Sequence, residues 1–99
     1  MKDDPIFKYA GSALFYDFTF DDGEIPETMT CVAMLKNRAN GLVAQYNLGV
    51  NELRSQFELR VDGSTTTEYA GFAHNLIIKV SDTATGFVDV IYEVKINWK

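Results

Sequence analysis

Residues 87–99, FVDVIYEVKINWK, alternate apolar and polar side chains almost to the final position. A two-residue period sends successive side chains to opposite faces of an extended chain, so this segment reads as a strand with one face on a core and the other in water. Val88, Val90, Tyr92, Val94 and Ile96 are expected to point inward and Asp89, Glu93, Lys95 and Asn97 outward, with Ile91 the apolar exception. The same rhythm recurs upstream. In LFYDFTF, residues 14–20, Leu14, Tyr16, Phe18 and Phe20 share one parity and Phe15 interrupts the polar side; in SQFELRVD, residues 55–62, Phe57, Leu59 and Val61 alternate with polar neighbours. HNLIIKV, residues 74–80, places Leu76, Ile78 and Val80 together and leaves Ile77 on the opposite face. No stretch carries the three-to-four period of an amphipathic helix.

Turn chemistry divides these segments. DDGEIPET, residues 21–28, collects Asp, Gly and Pro, which end a strand. NRANG, residues 37–41, contains Asn-Gly, whose tolerance of positive φ marks a hairpin, so TMTCVAMLK (28–36) and LVAQYNL (42–48) are expected to pair antiparallel. GSTTTEYAG, residues 63–71, reads as a corner holding one helical turn capped by a Thr and stopped by Gly71. In SDTATG, residues 81–86, Asp82 suits an Asx-turn and Gly86 a positive φ, giving a second hairpin. Six or seven strands without a long helix predict an all-β, antiparallel two-sheet sandwich of about seven strands. The last strand is expected inside a sheet, with neighbours on both sides. Residues 13–99 are expected to form one domain, preceded by an N-terminal arm over residues 1–12 in which Pro5, Ile6, Phe7 and Tyr9 order on binding.

With 99 residues and 46% hydrophobic content, the chain supports one core. Nine basic against fourteen acidic residues give a net charge of −5, which opposes attraction to a phosphate backbone and argues against nucleic acid as a partner. The single cysteine, Cys31, rules out an intrachain disulfide. The N-terminus MKDDPIFKYAGS lacks the apolar core of a secretion signal, and no apolar run approaches the length of a spanning helix, so a soluble protein made in the cytoplasm is expected.

Candidate chemistry is sparse. His74, the only histidine, has no local nucleophile or carboxylate motif, and reads as a solvent-edge or hydrogen-bonded side chain rather than a general base. Cys31, in an apolar strand, reads as buried filler. Asp21, Asp22 and Glu24 around Gly23 gather oxygens of the kind calcium takes, but miss the spacing of an EF-hand loop, and Asp3 and Asp4 read as a solvated terminus. No metal or other cofactor is expected, nor a catalytic residue. Seven Phe, five Tyr and one Trp supply aromatic faces, and Trp98, Tyr9, Tyr46 and Tyr69 would be the platforms of a carbohydrate-binding module recognising a cell-surface glycan, the alternative to protein docking. The segment 28–36 is apolar on both parities: Met29, Cys31, Ala33 and Leu35 on one, Val32 and Met34 on the other. Val32 and Met34, together with Phe15, Ile77, Ile91 and the arm residues Ile6 and Phe7, are the side chains that would form an apolar contact surface if they fall on one sheet.

The order of features resembles a known family. A strand opening after Gly11, an acidic Gly turn with Ile25-Pro26, the run TMTCVAMLKNRANGLVAQYNL, the SQFELRV strand, a Thr-rich corner ending at Tyr69-Ala70-Gly71 and the closing VDVIYEVKI are similar to the small immunoglobulin-like β-sandwich domains of tailed-phage virion proteins, such as the N-terminal domains of baseplate upper proteins and tail accessory proteins. The similarity spans roughly residues 10–96. At Gly71-Phe72-Ala73-His74-Asn75 the chain departs from the family's pattern, in which the corner runs straight into a strand carrying a Tyr and an Asp. The resemblance implies an immunoglobulin-like fold and a non-enzymatic structural or adaptor role in a virion's tail, baseplate or capsid. Its partners would be other virion proteins or further copies of itself. Pairing between subunits through exposed strand edges is a further expectation, since open sandwiches leave such edges.

Overall fold

The structure, a computed structural model, describes residues 4–99. Two sheets carry the alternating segments. Sheet A holds five strands in the order β1 (Ile6–Lys8), β8 (Phe87–Trp98), β7 (Ala73–Asp82), β3 (Met29–Lys36) and β4 (Leu42–Asn47); sheet B holds β2 (Leu14–Thr19), β6 (Gln56–Val61) and β5 (Gly49–Val50). All pairings are antiparallel except β1 with β8, which run parallel with Ile6 opposite Ile96 and Lys8 opposite Trp98. The molecule is an all-β two-layer sandwich. Neighbours β3-β7-β8 on one side and β2-β6-β5 on the other have the C-F-G and B-E-D connectivity of the immunoglobulin fold. The segment expected as an arm over residues 1–12 contains β1, the edge strand of sheet A; its first three residues lie outside the described residues.

The core lies between the sheets. Leu14, Leu35, Leu59, Leu76, Ile78, Val94 and Ile96 are fully buried there, each from a position that the two-residue period marks as inward. β8 sits between β1 and β7, with neighbours on both sides as expected of the last strand.

One expectation about β8 fails. Val88 and Val90 are 58% and 48% exposed and point outward. Between Ile78 and Lys79 the pairing shifts: Ile78 faces Tyr92 but Lys79 faces Val90, so Ile91 is the extra residue of a β-bulge. An inserted residue reverses the parity of everything beyond it. Val90 therefore shares the outer face with Lys79 and Val88 with Ser81, while Phe87 and Ile91 turn to the inner side. β7 also runs two residues past the expected strand, taking Ser81 and Asp82 from the loop.

Turns follow local chemistry with two corrections. In the β3–β4 hairpin only Asn40 takes positive φ, at 65°, and the Asn37 side chain holds the loop by accepting from the amides of Ala39 and Gly41. At the β6–β7 corner, α1 (Gly63–Thr66) and a 3-10 turn (Thr67–Tyr69) follow Asp62 as N-cap, and no side chain caps either. The Thr cap expected from the sequence is not formed. Thr66 is fully buried; its Oγ1 donates to the Ser12 carbonyl at 2.7 Å and accepts from the Gly11 amide at 3.0 Å, tying the β1–β2 connection to the corner. Gly63 is required in that contact, because a Cβ there would collide with the Gly11 carbonyl. Asp82 forms the Asx-turn read from the sequence, accepting from the Ala84 amide at 2.9 Å, and also accepts from Thr28 Oγ1 at 2.6 Å. These hydrogen bonds hold its carboxyl below the ordinary carboxylate range.

Candidate docking surface

The outer face of sheet A is built by the parity of its strands. Adjacent rows across β8, β7, β3 and β4 read Glu93–Ile77–Met34–Gln45 and Val90–Lys79–Val32–Asn47, bordered by Val88–Ser81–Thr30 on one side and Lys95–Asn75–Lys36–Leu42 on the other. Val32, Met34 and Ile77 thus fall together at the centre and are half-buried by one another's neighbours, with Val88, Val90 and Leu42 exposed around them. The molecule has two layers, so the described chain provides no third layer over this face. Lys36, Lys79 and Lys95 stand on it, their ammonium groups without a hydrogen bond or ion pair among the described residues. Glu93 is the acidic residue of these rows, so a chain of net charge −5 presents a basic, apolar face here.

The other residues expected in this surface lie elsewhere. Phe15 is on the outer face of sheet B, 57% exposed beneath the Arg60 guanidinium at 5.0 Å. Arg60 itself pairs with Asp17 at 2.7 Å and with Glu58 at 3.4 Å. Ile6 packs against the core from β1, whereas Phe7 is exposed at the sheet edge under the Lys99 ammonium. Ile91 sits in the bulge on the inner side. Three of the seven share one face because they alone occupy outward positions on the inner strands β3 and β7. Val88 and Val90 join them through the bulge, which no single-strand pattern reveals.

His74 is buried, not at the solvent edge. Trp98 Nε1 donates to its Nδ1 at 3.1 Å, the Tyr69 ring meets it edge-on and the Phe72 ring lies parallel to it. An indole N–H only donates, so Nδ1 must be unprotonated, and burial pushes the imidazole below its ordinary 6.5. The glycan platforms are also part of the interior: Trp98 and Tyr69 are buried, and Tyr46 bonds the Tyr69 hydroxyl at 2.9 Å, leaving Tyr9 as the exposed one of the four. Tyr16 packs on Tyr92, and burial with that contact raises its hydroxyl to about 12. Cys31 is buried, which pushes its thiol up to about 12, far from a reactive thiolate. Asp21, Asp22 and Glu24 are exposed, and among the described residues no three His, Cys, Asp or Glu side chains are grouped as metal ligands. No described helix is long and apolar enough to cross a membrane. Neither a protein-family model nor a curated protein matches the chain.

Proposed function

We propose that this chain is a non-enzymatic structural or adaptor protein of a tailed-phage particle, made in the host cytoplasm and docking onto other virion proteins through the outer face of sheet A. The observation that carries the docking reading is the patch formed by half-buried Val32, Met34 and Ile77 with exposed Val88 and Val90 on the outer face of sheet A. Isolated exposed apolar residues are ordinary; a joined patch on one rigid face is what a contact surface needs. The placement in a virion rests on the resemblance over residues 10–96. Lys36, Lys79 and Lys95 around the patch favour a partner whose apolar centre is rimmed by Asp and Glu, since complementary charge speeds encounter and rejects wrong partners. A stable contact on this face would bury about 800 Å² on each partner.

Particles assembled with the tagged wild-type chain should retain the tag through purification. Met34→Glu puts a charge in the centre of the patch without touching the core, and should leave the circular dichroism unchanged while removing the tag from particles. Incorporation of Met34→Glu at the wild-type level, or failure of the wild-type chain to enter particles, would overturn the proposal.

A further inference from the structure

An immunoglobulin sandwich of the constant type carries a fourth strand beside the equivalent of β2. Among the described residues no strand takes that position, since β1 pairs with β8 in sheet A instead. Among the described residues β2 pairs only with β6. The Phe20 amide donates to the Ser55 carbonyl, which fixes the alternation: Leu14, Tyr16 and Phe18 direct their N–H and C=O groups to β6, and Phe15, Asp17 and Thr19 direct theirs to the open edge.

The missing strand leaves a second mark on the facing sheet. Tyr16 and Phe18 of β2 meet Tyr92, but Phe87 and Ile91 on the same half of β8 remain 48% and 42% exposed although the bulge turns them inward. Between β2 and β8 lies a slot of about 150 Å³ lined by Phe18, Phe20, Met29, Phe57, Phe87 and Ile91. A free row of backbone groups beside an apolar slot is the geometry of strand addition, in which main-chain hydrogen bonds bind the strand and alternate side chains fill the slot.

We propose that the open edge of β2 accepts an extended segment of a partner protein that alternates apolar residues with Lys or Arg. The apolar side chains would enter the slot, and the cations would stand over the outer face of sheet B. Charge argues for cations there: Asp17 and Glu58 share the single guanidinium of Arg60, and Asp21 and Asp22 follow directly after β2. The same acids argue against a second copy pairing antiparallel through its own β2. Keeping inner faces aligned, that pairing places Asp17 opposite Phe15, Asp17 or Thr19 of the other copy, with no added cation. This edge is distinct from the outer face of sheet A, so its test does not depend on the virion reading.

The probe is a short end-blocked peptide alternating Val and Lys, titrated into the isotope-labelled full-length chain and followed by NMR. The amides of Phe15, Asp17 and Thr19 should shift and their hydrogen exchange should slow. N-methylating the peptide at the amides that face β2 should weaken binding about tenfold or more, since each lost main-chain hydrogen bond in a desolvated edge is worth roughly a factor of that size. A Val-Glu peptide should bind more weakly than Val-Lys. The proposal is overturned by an absence of shifts at roughly millimolar peptide. It is overturned equally by shifts confined to sheet A, by indifference to N-methylation, or by protection of these amides through self-association of the chain alone.

Discussion

At the scale of single residues, His74 is enclosed by the rings of Tyr69, Phe72 and Trp98. His74 and Trp98 form one buried hydrogen bond, and the sign of its pH dependence follows from burial. Burial disfavours the imidazolium, so the folded-state value lies below the ordinary 6.5. Above pH 6.5 the histidine is neutral both folded and unfolded, and the contribution is complete; as pH falls through 6.5 the unfolded chain takes up the proton first and stability declines. The urea midpoint of the wild type should therefore drop between about pH 7.5 and about pH 5 by more than that of His74→Gln, whose amide oxygen can still accept from the indole. An equal drop in the two proteins would remove His74 as the cause. The sequence left His74 as either a solvent-edge or a hydrogen-bonded side chain, and the structure has the second. Its partner was not legible, because Trp98 lies 24 residues away on the adjacent strand.

At the scale of elements, the six longer strands were legible, the short β1 and β5 were not, and strand faces were legible only within an unbroken register. β6 reads from its own alternation, with Phe57, Leu59 and Val61 buried. β8 does not, because its bulge is a property of the pair β7–β8. Deleting Ile91 removes the extra residue while leaving Ile78 opposite Tyr92 and Lys79 opposite Val90. The shortened chain should fold with these pairings intact, visible as cross-strand nuclear Overhauser contacts between residues 79 and 90. It should lose on the order of 1 kcal/mol for the half-exposed isoleucine. A change of pairing partner for Lys79 would contradict this account of the bulge. The helical turn of the β6–β7 corner was legible from its Gly and Thr content. The role of Thr66 was not, since its partners Gly11 and Ser12 lie 55 and 54 residues away in the chain.

At the scale of the whole molecule, the first and last strands meet: β1 lies against the end of β8, and the Trp98 backbone bonds both Gly71 and Phe72 of the corner. The C-terminal residues therefore close one end of the sandwich. Removing residues 96–99 takes the buried Ile96 and Trp98 from the core and strips β1 of its whole pairing. Loss of either large side chain alone costs about 2–5 kcal/mol, comparable with the stability of a domain this size. The truncated chain should show no cooperative unfolding transition by circular dichroism, and a native-like transition would disprove this role for the terminus. The sequence alone determined the six longer strands, their inward core wherever the register is unbroken, and the two-layer class, because alternation and turn residues are local and act within a few positions. Only the tertiary structure decided which outward side chains join into a surface, that Val88 and Val90 turn to water, and that β2 keeps an open edge. Those outcomes depend on which strands become neighbours and in what register, and both are set by contacts between residues far apart in the chain.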